Sequence, residues 1–183
     1  IGAATATLFA ANGAHAVIAD IDGVKAKEAA KAAGNGSIGV ACDVTEPDDL
    51  ARLVDTANER FGSLTTLVSN AGGGGPKPFD MDMADFRRAY ELNVFSLFHL
   101  AQLAAPLMED AGGGAILAIT SMAAENTNQR MASYGSSKAA ANHLIRNIAF
   151  DLGPRNIRVN GVAPGATRTE ALGSRPAAES NST

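Results

Sequence analysis

Disulfides are out of reach for this chain, because its 183 residues include a single cysteine, Cys42. The apolar run before it, Ile38-Gly39-Val40-Ala41, makes a buried and inert thiol the expectation. A reducing cytoplasm suits such a chain. Positive charge is scarce as well: the formal net charge is -4 and no Lys/Arg cluster accumulates. That excludes the electrostatic footprint of a nucleic-acid or anionic-membrane binder, and leaves a small molecule as the expected partner. No membrane span is expected either. The longest apolar stretch, Val94 to Met108, is broken by Ser96, His99, Gln102 and Pro106 and falls short of the roughly 20 apolar residues that cross a bilayer. The chain begins at Ile1 rather than Met, with no basic-then-apolar leader. No signal peptide is therefore expected, and the natural N-terminus is expected to lie upstream. His15, His99 and His143 lie far apart, without metal-ligand spacing, so structural roles and no metal are expected.

What is present is apolar material, 46% of residues, enough for one packed core in a chain too short to require two domains. Five strand-like apolar runs recur: Ala16 to Ile21, Ser37 to Cys42, Leu64 to Ser69, Ala115 to Thr120 and Arg158 to Ala163. They alternate with helical patterns at about Ala3 to Ala11, Gly23 to Ala33, Pro47 to Phe61, Met83 to Asp110 and Ala132 to Leu152. Strands apolar almost throughout need cover on both faces. The order predicts an α/β, Rossmann-like, doubly wound parallel sheet in a single domain. Ligands then sit beyond the strands' C-terminal ends. Thr45, ahead of Glu46, Pro47 and Asp48, is expected to cap its helix, and Gly62 to close it. Residues 173–183, rich in Ser, Ala, Pro and Asn, are expected to be a disordered or non-native tail.

Chemistry concentrates in Ser133-Tyr134-Gly135-Ser136-Ser137-Lys138, where Tyr134 and Lys138 stand one helical turn apart on the same face. An adjacent ammonium favours the phenolate, so Tyr134 is a candidate general base. The spacing alone is also common on amphipathic helices. Ser121, at the end of the fourth strand, is placed where open α/β sheets bind ligands, and its hydroxyl can hydrogen-bond a substrate oxygen. On residue type alone it reads as a loop-capping serine. Asn93 interrupts the long helical pattern and marks a local break, with a solvent-facing asparagine as the alternative.

Taken together, Asn70-Ala71-Gly72, Asn93, Ser121, Tyr134 with Lys138, and Pro164-Gly165 resemble the short-chain dehydrogenase/reductase family in order and spacing, over residues 1–172. The resemblance implies that Tyr134 is the catalytic acid/base and that Ser121 orients the substrate oxygen. It also implies that Lys138 lowers the Tyr134 pKa and binds the nicotinamide ribose, and that Asn93 supports a water relay. The run Asn70 to Phe79, the run Met83 to Val94, and Ser121-Met122-Ala123-Ala124-Glu125-Asn126 resemble members of the family that act on steroids. That closer likeness implies NAD-linked oxidation of the 7α-hydroxyl of bile acids to a ketone, with Ser121, Asn126 and Tyr134 touching substrate. Asn126 also reads as an ordinary turn asparagine.

The cofactor contacts follow. Ile1-Gly2, just before a helix, looks like the end of a phosphate-binding glycine turn. Asp20 ends the first strand eighteen residues beyond Gly2, near the roughly 20-residue offset at which a carboxylate accepts from the adenosine ribose. With Ile21 and Asp22 bringing no arginine, this favours NAD over NADP. Asp43-Val44 resembles the family's adenine contact, although Asp43 also reads as a helix cap. Asn70, Ala71, Gly72 and Gly74 let the backbone approach the adenine ribose. Thr167, Arg168 and Thr169 resemble the segment that meets the nicotinamide amide and phosphates, with Arg168 an unusual middle residue. By the same resemblance the protein is a homo-oligomer, a tetramer. Beside the family, the sequence is truncated at both ends: it is expected to lack a first strand ahead of Ile1, and a substrate-covering segment and last strand beyond Leu172. Poor catalysis by the chain as given is the consequence. Another short-chain activity, on 3-oxoacyl thioesters or sugar alcohols, and an inactive fragment retaining an association surface are the alternatives.

Overall fold

The computed structural model describes residues 1–167 of the chain. Strands and helices alternate: α1 (Gly2–Ala11), β1 (Val17–Asp20), α2 (Gly23–Ala33), β2 (Ile38–Ala41), α3 (Pro47–Phe61), β3 (Thr66–Ser69), α4 (Met83–Tyr90), α5 (Ser96–Asp110), β4 (Gly114–Ile119), α6 (Ala132–Leu152) and β5 (Ile157–Val162). Every strand pairing is parallel, as helical crossovers require. The expected Rossmann-like α/β fold is thus present. The ladder comes in two pieces, however: β1 pairs with β2, and β3, β4 and β5 form a second sheet in that order. No pairing joins β1 to β3 among the described residues. The register aligns Asp20 with Ala41 in the first piece, and Ser69 with Ala118 and Ile119 with Val162 in the second.

The helix ends follow local chemistry. Asp22 caps α2 by accepting from the amides of Val24 and Lys25 at 3.0 and 3.2 Å. The expected Thr45 cap of α3 is corrected: the cap position falls to Glu46, without a side-chain bond, because Pro47 opens the helix and holds its predecessor extended. The Thr45 hydroxyl instead donates to Asp43 at 2.7 Å. Gly62 does close α3, in the left-handed conformation at φ 74°. The single helix expected over Met83 to Asp110 is interrupted by a π-helical turn, Glu91–Phe95, centred on Asn93.

The larger core cluster joins Leu97, Ala101, Ala104 and Met108 of α5 to Ile116 of β4, Ile145 and Ile148 of α6, and Ile157 and Val159 of β5. A second cluster, around Cys42, Leu50, Val54 and Leu100, carries Ala19 of β1 and Leu67 of β3 against it, so the two sheets share apolar packing. Cys42 is buried as expected, and burial pushes its thiol up from 9.0 to about 11. No helix among the described residues is long and apolar enough to cross a membrane.

Helix α2 lies hard against β2. A Cβ at Gly39 would stand 2.4 Å from the backbone carbon and oxygen of Ala26, atoms that cannot swing aside. Gly39→Ala is therefore expected to cost about 1–3 kcal/mol of stability, read as a lower urea midpoint at unchanged slope.

Candidate active site

Strand β4 delivers the first functional position. Beyond Ile119, buried Thr120 stays tied to β5, its amide donating to the Val162 carbonyl at 2.8 Å. Ser121 is extended, and its hydroxyl oxygen accepts from the Ala123 amide at 3.1 Å, capping a short 3-10 turn over Met122–Ala124. The hydroxyl proton is not used in that bond. The capping role read from residue type is therefore real and leaves a donor free.

Helix α6 crosses this turn closely: a Cβ on Gly135 would meet the Ala123 carbonyl oxygen at 3.0 Å. That approach sets half-buried Tyr134 and, one turn on, Lys138 at the end of β4. Lys138 is 5% exposed. Its ammonium donates to the Ile119 carbonyl at 2.8 Å and lies 5.9 Å from the Tyr134 ring centroid. Burial brings the Lys138 pKa down from 10.5 to about 8, since an ammonium loses hydration there.

The loop after β3 closes the group. Asn93, 4% exposed, sits in the π turn and donates from Nδ2 to the carbonyls of Gly73 and Ala89, both at 2.8 Å. It also donates to the Ser137 hydroxyl at 3.0 Å, and its Oδ1 accepts from the Gly73 amide at 3.2 Å. The solvent-facing alternative for Asn93 is thereby excluded. A Cβ on Gly72 would fall 2.6 Å from Asn93 Oδ1 and 3.0 Å from Lys138 Nζ. Gly74, at φ 114°, passes the Tyr134 ring, where an added Cβ would stand 3.7 Å from Cδ2. The structure thus gathers Asn93, Ser121, Tyr134, Lys138 and the loop Gly72 to Gly74. Ser137 and the Ile119 carbonyl belong to the same group and were not singled out in the sequence. Only the position of Ser137 just before Lys138 pointed to it.

The remaining candidates lie along strand and helix ends. A Cβ on Gly2 would stand 2.8 Å from Asn70 Nδ2, so the start of α1, at Ile1 and Gly2, meets the loop containing exposed Asn70 and Ala71. Exposed Asp20 ends β1 and accepts from the Asp22 amide at 2.9 Å, with Ile21 exposed beside it. Asp43 accepts from the Thr45 amide at 2.9 Å and from its hydroxyl, bonds that hold its carboxyl below the ordinary range. Its side chain thus caps a turn and not α3. Val44 packs on the Cys42 cluster. Asn126 is exposed just past the 3-10 turn, its amide donating to Met122 at 3.0 Å. Pro164 accepts from the Met122 amide at 3.1 Å, which brings the segment after β5, with exposed Thr167, toward the Ser121 turn. Arg168 and Thr169 lie outside the described residues.

The model of the short chain dehydrogenase family matches residues 1–180. The chain belongs to the short-chain dehydrogenase family. This oxidoreductase is 58% identical over 175 residues to the 7alpha-hydroxysteroid dehydrogenase of Escherichia coli (strain K12), covering 94% of the chain and 69% of that protein. It is 38% identical to the cis-4-hydroxycyclohexanecarboxylate dehydrogenase of Sinomonas cyclohexanicum, covering 97% of the chain and 73% of the relative. A solved 7 alpha-hydroxysteroid dehydrogenase, complexed with NADH and 7-oxo glycochenodeoxycholic acid, superposes with a TM-score of 0.90 at 56% identity. That match covers 95% of this short-chain dehydrogenase and 70% of the solved chain.

The buried ammonium makes stability depend on pH. Lys138 sheds its proton near 8 when folded and near 10.5 when unfolded. Between those values the unfolded chain binds the extra proton, so this group raises stability as pH rises; its penalty is fully present below about 8. From pH 7.5 to 9.5 the unfolding free energy is expected to rise by about 1–2 kcal/mol more in the wild type than in Lys138→Met. Urea titrations at the two pH values check it.

Proposed function

We propose that this protein oxidises a ring hydroxyl of a steroid to a ketone with NAD, the preferred substrate position being the 7α-hydroxyl of a bile acid. The observation that carries the reading is Tyr134 on the turn of α6 that approaches the Ser121-capped turn through Gly135, 5.9 Å at its ring centroid from a buried Lys138 whose only protein acceptor among the described residues is the Ile119 carbonyl. The relative solved with NADH and a 7-oxo bile acid supports the choice of cofactor and substrate.

The residues present fit a nicotinamide dinucleotide. Two glycines leave a cradle that a side chain would fill: Gly72 bares Lys138 Nζ, and Gly2 bares Asn70 at the start of α1. Lys138, with N–H groups left beyond its bond to Ile119, would hold the nicotinamide ribose. The open amides at Ile1 and Gly2 would hold phosphate, the carboxylate of Asp20 the adenosine ribose, Asp43 and Val44 the adenine, and Asn70, Ala71, Gly72 and Gly74 the neighbouring backbone face. Thr167, with Arg168 and Thr169, would meet the nicotinamide amide and phosphates, as the family resemblance implies. Bound NAD supplies acceptance of hydride from the carbinol carbon.

The chain's own residues handle the proton. Tyr134, as general base, takes the proton of the substrate hydroxyl at its phenolic oxygen, with Lys138 one turn away on the same helix face. Ser121 donates its free hydroxyl proton to the same substrate oxygen, and Asn126, exposed beyond the 3-10 turn, would contact the steroid. Asn93 holds the glycine loop in register and supports a water relay behind Lys138. Phe95 of the π turn, Phe98 of α5 and Phe150 of α6 are exposed; they offer apolar surface for the homo-oligomer that the family resemblance implies. A second reading, oxidation of smaller alicyclic alcohols, is favoured by the 38% identical cyclohexanecarboxylate relative.

In a complete version of the protein, on which all the turnover assays are run, cholate and chenodeoxycholate, which carry the 7α-hydroxyl, are expected to yield NADH, and deoxycholate, which lacks it, is not. In Tyr134→Phe, turnover is expected to fall at least a hundredfold while NAD affinity stays within a few-fold. Turnover on deoxycholate equal to that on cholate would place the reaction elsewhere on the ring system. Asp20→Ala is expected to narrow the preference for NAD over NADP by about tenfold or more in kcat/KM, because it removes a carboxylate that repels the 2′-phosphate. Steady-state assays with both cofactors measure this, and a wild type that prefers NADP overturns it.

A further inference from the structure

Ser137 is fully buried, at 0% exposure, on α6 between Tyr134 and Lys138. Its hydroxyl donates to the Tyr134 carbonyl at 2.8 Å and therefore has only lone pairs to offer Asn93, whose Nδ2 donates to it at 3.0 Å. The direction of both bonds is fixed by this single proton. Through Asn93 the same tie reaches the amide and carbonyl of Gly73. Ser137 thus stands where the Tyr134 turn, the π turn and the glycine loop meet, and touches none of the surfaces open to a ligand.

We propose that Ser137 is a positioning residue: it locks the Asn93 amide and, through it, holds the Gly72 to Gly74 loop at a fixed distance from Tyr134 and Lys138. The argument is one of hydrogen-bond supply. Asn93 Nδ2 has two hydrogens for three acceptors, the Gly73, Ala89 and Ser137 oxygens. Gly73 and Ala89 belong to the loop and to α4, so Ser137 is the one acceptor that ties the amide to α6. Without it, both hydrogens are satisfied by the other two, no buried donor is orphaned, and the fold tolerates the loss. What disappears is the hydrogen-bonded tie between the loop and α6, which leaves only the close approaches of Gly72 to Lys138 and of Gly74 to the Tyr134 ring. This proposal rests on the reading of Tyr134 as the base, because only then does the register of the loop against α6 matter for turnover.

The test uses Ser137→Ala, Asn93→Ala, the double variant and Ser137→Thr. In Ser137→Ala the melting temperature is expected to stay within a few degrees of wild type. Exchange of the Gly73 amide, followed by hydrogen–deuterium exchange without cofactor, is expected to rise several-fold. Bile-acid turnover is expected to fall about tenfold at nearly unchanged KM for the bile acid, and Ser137→Thr, which keeps the hydroxyl, is expected to recover most of it. The double variant is expected to be no worse than Asn93→Ala, since both changes cut one tie. Unchanged Gly73 exchange in Ser137→Ala, or turnover losses that multiply in the double variant, overturns the proposal. Because exchange is read without substrate or cofactor, it stands or falls separately from the reading of Tyr134, which Tyr134→Phe tests alone.

Discussion

A lysine ammonium that has lost nearly all its water must find acceptors inside the protein, and Lys138 finds the carbonyl of Ile119, the last residue of β4, at 2.8 Å. That bond fixes how α6 crosses the end of the strand. With Lys138 pinned, Tyr134 is carried to the Ser121 turn by helical geometry, because residues three to four apart share a face. Desolvation lowers the Lys138 pKa only to about 8, so the ammonium is still mostly charged at neutral pH, and the low dielectric around it strengthens its field at neighbouring groups. Stability is sacrificed locally for a functional geometry, as is common where charges are held in apolar surroundings.

The second constraint is the π turn. An extra residue between α4 and α5 places the Asn93 side chain inward, where an α-helical continuation would rotate it, and π turns recur at such sites. Asn93 then does for the glycine loop what a neighbouring strand would do for an edge: it pairs both the amide and the carbonyl of Gly73. The loop carries four consecutive glycines from Gly72, and glycine is flexible unless its backbone is bonded. Bonding at Gly73, together with the close approach of Gly72 to Lys138 and of Gly74 to the Tyr134 ring, turns a flexible segment into a wall.

Much of this was legible beforehand, for identifiable reasons. The five strands and most helices announced themselves because apolar runs and helical periodicity are local signals, and the left-handed cap at Gly62 follows from glycine alone. The Thr45 cap was misplaced by one residue, since the pull of Pro47 on Glu46 and the competition of Asp43 for the Thr45 hydroxyl do not show in residue type. The long helix from Met83 was expected whole. Asparagine at position 93 signalled a break, but its form, a π turn with the amide facing inward, depends on Gly73 and Ser137, which lie 20 and 44 residues away.

The sequence by itself determined the alternation of strand and helix, the order in which Asn93, Ser121, Tyr134 and Lys138 occur, and the acidic end of β1 at Asp20. Each of these is written in residue type and short spacing, where local propensity and pattern act. Tertiary structure alone decided that Lys138 is buried on Ile119, that the serine at 121 both caps a turn and keeps a free proton, and that Ser137 joins the loop to the helix. These depend on contacts between segments dozens of residues apart, whose geometry is set by packing against the common core and leaves no periodicity in the chain.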